Sequence, residues 1–585
     1  MGAFLLIRDG VRCELDAALA VLRRKGFSEP RVFQLPSHKL WLYPKMLVPG
    51  PAFVEEAGQG LYSVGTLVYR GLGSRASLDR LWADWKSRQF DFQELRGTFA
   101  LLLHYGGVVH FVTDALGLQN VFYTDGGGII SSSFLATLAA SPGTLSLNRE
   151  AAVEILAAGC LIGPETIVEG IQRFEHAAGP QWDGIATVSP PGPFSDGLPP
   201  TSFRQAVDEQ LEVLSVHMKS LKNLADECGA DLGLTGGYDS RLLLLLIRKH
   251  FSRYSCHSHW RERPNLELEC AEAVAAAAGC RHVVVAMTPT RTMTEEQLGE
   301  MMSDAMDFYD GLARKYCPWL EQLTTRSYRS AVLGANRLGL SGVGGEQYRN
   351  SDRVLRRRRP TQEWLKYRFL PGEGGDCFAS SRDERRFLDR FAQKIALHLG
   401  SGRDRHMTRL DIRRFSNELY VRSRIGTRNN AENQISFFLS PYLEPSVAQV
   451  AYRDIPWLGA GYHFEAEMIR RLDPDIASIP SDYGWNFLGR EPWRNRAAAY
   501  VKEFVPLSGP LLRARKPRPR GSLFEELRAR SHLVRECIST VSVLRLPLRL
   551  DVLLSDPLMA PVVIGLGYFL IRHRGKIREA GGSCA

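Results

Sequence analysis

Several things are missing from this 585-residue chain, and each absence removes a class of function. Its ten cysteines (Cys13, Cys160, Cys228, Cys256, Cys270, Cys280, Cys317, Cys377, Cys537 and Cys584) form no C-x-x-C pair, so no zinc or iron–sulfur module is expected. The start, Met1-Gly2-Ala3-Phe4-Leu5-Leu6-Ile7-Arg8-Asp9, lacks the basic region and long apolar core of a secretory signal. The thiols therefore read as reduced, and the expected location is cytoplasmic. The longest late apolar stretch, residues 560–571, is about half a membrane span and is followed by Arg572 and Arg574. It reads as a buried or peripheral segment, and no transmembrane helix is expected. A strong charge is also lacking: 74 basic residues stand against 64 acidic ones, a net +10. The two basic clusters, residues 356–359 and 513–520, carry none of the interleaved aromatics of a nucleic-acid face, so they read as solvated loops. No nucleic-acid partner is expected, while an anionic substrate or a membrane surface is left open.

What remains is ordinary globular composition, 44% hydrophobic and 24% charged, in a chain long enough for roughly two to four domains. Over the first 140 residues short β-like runs alternate with Gly turns. Strands are expected at 61–69, 98–105, 108–113, 121–123 and 129–132, with helical patterns at 12–25 and 78–89. Hairpins at this density mean antiparallel sheet, and the helices give it an α+β character. Residues 184–201 are rich in Pro, Gly and Ser and read as a linker. Beyond it a helix is expected over 207–228. A βα alternation follows, with strands ending at 254–258 and 281–287 around an Ala-rich helix at 266–278. That pattern argues for a parallel sheet with ligands at the strand C-termini.

The second region is organised around Leu232-Gly233-Leu234-Thr235-Gly236-Gly237-Tyr238-Asp239-Ser240-Arg241, a strand, a tight Gly loop and a helix start. Gly236 and Gly237 let backbone N–H groups approach an anion. Thr235 and Ser240 add hydroxyl donors, and the start of the helix favours negative charge. Asp239 would repel a phosphate unless it holds the Mg²⁺ that accompanies one. The Walker spacing and its Lys are absent. The plain alternative is a turn, since Gly-Gly with Asp and Ser is common turn chemistry.

Three sets of residues carry a family resemblance. Gln93-Glu94-Leu95-Arg96-Gly97-Thr98-Phe99-Ala100, then Thr113-Asp114-Ala115-Leu116-Gly117-Leu118-Gln119-Asn120-Val121-Phe122-Tyr123, then Ser131-Ser132-Ser133, resemble the glutaminase domain of asparagine synthetases. Gly163-Pro164-Glu165-Thr166-Ile167-Val168-Glu169-Gly170-Ile171 resembles that family's connector. The loop at 235–240 resembles the S-G-G-x-D-S pyrophosphate loop of the ATP pyrophosphatase class. Leu338-Gly339-Leu340-Ser341-Gly342-Val343-Gly344-Gly345-Glu346-Gln347-Tyr348 is similar to its second Gly segment, and Ser440-Pro441-Tyr442-Leu443-Glu444 to a later structural turn.

The resemblance implies a mixed α/β and α+β multidomain protein. Residues 1–183 would form an αββα sandwich of the N-terminal-nucleophile type, and 184–201 a linker. Residues 202–500 would be a parallel-sheet ATP-pyrophosphatase domain with a helical C-terminal part, and 501–585 a helical extension. It also implies an ATP- and Mg²⁺-dependent ligase that adenylates a carboxylate and then joins it to an amine. Leu234, Thr235, Gly236, Gly237, Asp239, Ser240, Ser341 and Gly342 would bind ATP, and Asp239 and Glu346 would hold the metal and act in catalysis. The substrates would be a small-molecule, peptide or saccharide carboxylate and an amine donor. A homodimer or a biosynthetic partner is left open.

The departures matter as much. The family's nucleophile is an N-terminal Cys. Here the first Cys is Cys13, which is not expected to be catalytic, and Val64-Gly65-Thr66 replaces the family's Asn-Gly-Glu loop. The chain is therefore expected to lack its own glutaminase activity, as in relatives that make β-lactam or lasso-peptide amides. The loop variant also resembles those of bacterial cell-surface-polysaccharide and peptide-tailoring clusters. An acid or Tyr is replaced by Val343, charged residues by Phe437, Phe438 and Leu439, and no Lys precedes the segment Tyr483-Gly484-Trp485-Asn486-Phe487. Arg470, Arg471, Arg490 or Arg494 are the candidate substitutes for that Lys, whose charge a pyrophosphate would need. The rival reading is a catalytically eroded nucleotide-binding or scaffold protein of the same fold.

Overall fold

Strict alternation of side chains builds two stacked sheets from the first part of the chain. The computed structural model describes residues 1–48, 50, 52–175, 182–188, 190, 199–260, 265–311, 320, 322–349, 359–370, 377–399, 406–458, 461–489, 491–495, 497 and 523–578. In order, the first elements are β1 (Ala3–Arg8), α1 (Leu15–Arg24), β2 (Arg31–Gln34), β3 (His38–Tyr43), β4 (Phe53–Glu56) and β5 (Gln59–Tyr69). Then come α2 (Ser74–Lys86), β6 (Leu95–Tyr105), β7 (Val108–Thr113), β8 (Phe122–Thr124), β9 (Ile129–Ser131), α3 (Phe134–Ala140), α4 (Arg149–Ala158), β10 (Ile171–Arg173) and β11 (Ile185–Val188). One sheet has the order β10-β8-β9-β1-β3-β2, the other β11-β7-β6-β5-β4. Pairing is antiparallel except between β11 and β7.

Successive residues of a strand point to opposite faces, and the cores follow. Phe4 and Leu6 of β1 meet Leu40, Leu42, Val64, Leu102 and Phe111 between the sheets. Leu5 and Ile7 meet Val21 and Leu22 of α1 and Phe134 and Leu138 of α3 outside the first sheet. Leu61, Leu101 and Leu103 meet Leu78, Leu81 and Trp82 of α2 outside the second. The layers thus run helix, sheet, sheet, helix. Residues 185–188, read as linker, form the edge strand β11 instead, because Ile185 reaches the inter-sheet core.

The helix expected over 207–228 is broken in two, α5 (Phe203–Ser220) and α6 (Lys222–Cys228). Ser220 Oγ donates back to the His217 carbonyl at 2.7 Å, which competes with the helical ladder at that point. Next come β12 (Ala230–Gly233), α7 (Tyr238–His250), β13 (Tyr254–Trp260), α8 (Leu266–Ala277), β14 (His282–Ala286), α9 (Glu295–Phe308), α10 (Arg326–Leu333), β15 (Leu338–Leu340) and β16 (Phe437–Leu439). The five strands form an all-parallel sheet ordered β14-β13-β12-β15-β16. The chain order reverses between β12 and β15, and such a switch point leaves a crevice at the carboxyl ends of the strands. The protein is therefore mixed α/β, with antiparallel and parallel sheets.

The helices Leu523–Arg530, His532–Val543, Leu550–Ser555 and Ala560–Arg572 return over both regions. Val562, Leu566 and Phe569 pack with Phe134 and Leu138, while Val534 and Ile564 pack with Met301 and Met302 of α9. Ile577–Arg578 pairs in parallel with Leu145–Ser146. Among the described residues no helix is long and apolar enough to cross a membrane. The basic clusters at 356–358 and 513–520, and residues 189 and 191–198 of the expected linker, lie outside the described residues.

Candidate functional site

The two faces of the parallel sheet carry different residues. Leu232, Cys256, Leu338, Leu340 and Leu439 point to one side, where α7 supplies the fully buried Leu242, Leu243 and Leu246. Their neighbours in sequence, Asp231, Gly233, His257, His259, Gly339 and Phe438, point to the other side and line a cavity of about 890 Å³. The cavity continues over the carboxyl ends of the strands, where Leu234, Thr235, Asp239, Ser240, Ser341, Gly342, Val343 and Glu346 also line it.

The two Gly segments meet there. Ser240 Oγ accepts from Thr235 N at 3.0 Å and lies 2.9 Å from Thr235 Oγ1, which closes the first loop on itself. Leu234 N donates to His257 O at 2.8 Å, tying the loop to β13. The helix α7 starts just after Gly237, whose N–H donates to Thr235 Oγ1 at 3.4 Å and whose position supplies no side-chain cap. A Cβ on Gly342 would lie 2.9 Å from Ser240 N and 3.1 Å from the Asp239 carbonyl carbon. A Cβ on Gly345 would fall on Asp239 Oδ1. These glycines let the second segment touch the backbone of the first. Gly344 has φ +105°, a left-handed conformation that favours glycine.

Gly236 and Gly237 sit elsewhere. Neither adopts a positive φ and neither lines the cavity. What excludes a side chain at 236 is packing: its Cβ would stand 3.0 Å from Cys270 Cβ and 3.1 Å from Glu267 O. Arg241, fully buried, donates to the carbonyls of Ile479 at 2.8 Å and Pro480 at 3.0 Å, and its guanidinium lies 4.5 Å from the Phe487 ring. Burial brings it down to about 10. Tyr238 stacks on Tyr462 and Phe487, with ring centroids 4.6 and 4.1 Å apart. The loop is thus clamped from behind by residues 476–487. Tyr442 OH donates to Asp239 O at 2.7 Å, so the turn at 440–443 fixes the loop from the other side.

Both acids face arginines. Asp239 Oδ2 accepts from Arg349 Nη2 at 2.7 Å, and the carboxyl of Glu465 is hydrogen-bonded to the Asp239 side chain. Arg349 also pairs with the buried Glu465 at 3.1 Å. Burial and the neighbouring Asp239 push the Glu465 carboxyl well above its usual range, against the pull of Arg349. Glu346 Oε2 accepts from Gly344 N at 2.9 Å, and Oε1 lies 3.3 Å from Arg424 Nη2. Arg349 and Arg424 are the cations beside these acids, and the sequence reading named neither. Of the four arginines it did name, Arg470 and Arg471 pair with Glu467 on an outer helix face, and Arg471 also with Asp208. Arg494 lies exposed over Trp493, and Arg490 lies outside the described residues.

The hollow face holds further polar groups that the motifs did not mark: the Asp231–His257 pair, His259, and the buried Arg329–Glu432 ion pair at 2.7 Å. One signal was available. Strands of a sheet buried on both faces read as near-continuous apolar runs, and β12 and β13 interrupt theirs with Asp231, His257 and His259. Among the described residues no three acidic, His or Cys side chains are grouped to hold a metal by themselves. Comparison with known proteins adds no family: no family model matches the chain, and no curated protein is similar enough to count as a relative.

Proposed function

We propose that the chain is an ATP- and Mg²⁺-dependent ligase that activates a carboxylate as its adenylate and joins it to an amine. The observation that supports this most is the meeting of two Gly segments, each with one acid, at the switch point of a parallel sheet and on one large cavity. In this reading Leu234, Thr235, Ser240, Ser341 and Gly342 hold ATP, while Gly236 and Gly237 let the loop pack closely from behind. The uncapped start of α7 and the Thr235 and Ser240 hydroxyls face its phosphates. Asp239 and Glu346 hold Mg²⁺. The donors fit: both are hard oxygens that line the cavity, and Mg²⁺ is commonly held by one or two carboxylates plus phosphate oxygens. When bound, the ion would offset phosphate charge. Arg349 and Arg424 supply the fixed positive charge that the absent Lys would have given.

The same reading makes the first 183 residues a domain of the N-terminal-nucleophile type without its chemistry. Its support is the helix–sheet–sheet–helix layering. Cys13 packs outside the first sheet, against the helix-side core, rather than between the sheets. The nitrogen is then free ammonia, a partner's ammonia or a substrate amine. A second reading, an eroded nucleotide-binding scaffold, draws on one observation: Asp239 is already neutralised by Arg349.

ATP–pyrophosphate exchange over a panel of carboxylates separates the two. Exchange that disappears in Asp239→Ala is the outcome expected of a ligase. Mg·ATP binding in calorimetry with no exchange for any carboxylate would favour the scaffold.

A further inference from the structure

Joining an amine to an activated carboxyl releases a proton, and in the ligase reading the two acids of the loops, Asp239 and Glu346, are committed to Mg²⁺. Position 343, which lines the cavity between the two Gly segments, is a valine. The hollow face of the sheet does offer a base. His257 Nδ1 lies 2.6 Å from Asp231 Oδ2. The other carboxylate oxygen of Asp231 accepts from Ser255 Oγ at 3.1 Å, and Ser255 accepts from Asn336 Nδ2 at 2.6 Å. This chain of bonds orients the carboxylate and sets Nδ1 as the nitrogen that donates to it, with Nε2 turned away from Asp231. His257 Nε2 has no hydrogen-bond partner among the described residues, and both Asp231 and His257 line the cavity.

The imidazole is close to the loop. His257 O holds Leu234 N, and Ser258 Oγ donates to Leu234 O at 2.7 Å, directly before Thr235. Gly233 keeps the space beside the ring clear: a Cβ there would lie 3.5 Å from Nε2, and anything longer would cover it. The other nearby histidines are committed. His259 Nδ1 is 2.9 Å from Tyr328 OH, and its Nε2 accepts from Arg329 Nη1 at 3.3 Å. His282 Nε2 is 2.8 Å from Ser258 Oγ, and His282 does not line the cavity.

We propose, resting on the ligase reading, that His257 is the catalytic base for the acceptor amine and Asp231 its positioning residue. As the amine nitrogen attacks the carboxyl carbon, the C–N bond forms and Nε2 takes a proton from nitrogen. The bond from that carbon to the AMP oxygen breaks, its electron pair leaves on the phosphate of AMP, and Nε2 returns the proton to water. Asp231 holds the tautomer and stabilises the imidazolium. The recess therefore takes ammonia or an amine that carries an N–H, presented from the hollow face of the sheet. The groups around the imidazole are Asp231 on β12, His259 on β13, His282 on β14, and Arg329 on α10 paired with Glu432.

The test uses the full chain as wild type, His257→Gln and Asp231→Asn. With a carboxylate that drives exchange in the wild type, ATP–pyrophosphate exchange and amide formation from ammonia are followed side by side across pH, with hydroxylamine as a second acceptor. His257→Gln is expected to slow amide formation about 10²–10⁴-fold, far more than it slows exchange, and to flatten the acid limb of the pH profile. Asp231→Asn shifts that limb. Hydroxylamine, a weaker base that stays unprotonated near neutrality, recovers part of the rate. Equal loss in both reactions, or an unmoved acid limb, overturns the role of His257 while the ligase stands. Absence of exchange in the wild type overturns the ligase reading and this role with it. Carbethoxylation mapped by mass spectrometry checks the geometry without any substrate. His257 is expected to react, and more slowly in Asp231→Asn; an unmodified His257 beside a modified, exposed His532 overturns the proposal.

Discussion

The two faces of the parallel sheet come from alternate residues of the same five strands, yet they treat polar groups in opposite ways. Behind the packed face, between α5 and the turn at 440–444, burial suppresses charge. His217 of α5 is driven down to about 3, by burial and then by Arg96. Glu444, beside it at the seam with β6, is driven up to about 7, by burial against the pull of Arg96. On the hollow face charge is kept by pairing. Burial opposes the charge on Arg329, but Glu432 at 2.7 Å raises it above the usual arginine value. Asp231 is held by His257 and Ser255. A sheet can thus be rigid on one side and chemically equipped on the other, because the period of two assigns neighbouring residues to different environments.

The largest test of this contrast sits on two adjacent residues. Leu232→Asp would set a carboxylate among leucines without a partner. Its desolvation costs several kcal/mol, a large share of the roughly 5–15 kcal/mol that holds a protein together. The expected result is no cooperatively folded protein, read by loss of near-ultraviolet circular dichroism. Asp231→Leu leaves His257 Nδ1 and Ser255 Oγ without their acceptor, at about 1–3 kcal/mol for each stranded group. It is expected to fold with a lower urea midpoint. Equal tolerance of the two changes would show that the faces do not differ as described.

Much of this is legible in the sequence. The hairpins around Gly106 and Gly107, both at positive φ, follow from turn residues between alternating runs. The site loops are legible as Gly segments because each needs glycine, the second to approach the first and the first to pack on α8. The glycines do different jobs, however, and sequence cannot separate them. Gly342 is set by contact with another segment, Gly236 by packing on α8, and Gly344 by its φ. The arginines on the acids were not legible, since Arg349 and Arg424 lie far from Asp239 and Glu346 respectively in the chain or out of motif, and only the fold brings them together. The break at Leu221 depends on a local Ser220 bond that a helical pattern hides. Residues 523–578 gave no motif because their role is tertiary: they cover α3 and α9 from outside.

The next test asks whether the packed side is as hostile to charge as its pKa values say. Folding favours the protonated form of Glu444, whose carboxyl rises from 4.5 to about 7. That contribution is complete below the ordinary glutamate range and is lost as pH rises through about 7. Glu444→Gln removes the loss. The variant is expected to gain about 3 kcal/mol over the wild type above that pH, and the gain should shrink to nothing in the acid range where both side chains are neutral. A series of melting temperatures against pH reads it. A gain that grows toward low pH would mean that the carboxylate is ionised and usefully paired with Arg96.

The smallest expected change in stability reports most directly on the cavity. In Gly342→Ala the new Cβ meets Ser240 N at 2.9 Å and the Asp239 carbonyl carbon at 3.1 Å. Both are backbone atoms at the start of α7, so no side-chain rotation relieves the contact and the two loops must separate. Overpacking of this kind costs about 1–3 kcal/mol, while the sheet and its packed face are untouched. In Gly345→Ala the contact is with the Asp239 carboxylate, which can turn aside toward Arg349. The two alanines therefore separate loop spacing from carboxylate placement. Gly342→Ala is expected to weaken ATP binding in calorimetry with and without Mg²⁺, because the whole cradle opens. Gly345→Ala is expected to weaken it chiefly when Mg²⁺ is present, because only the proposed metal ligand moves. If Gly342→Ala bound Mg·ATP as the wild type does, the two Gly segments would not form one site, and the hollow face would have to be read without a nucleotide beside it.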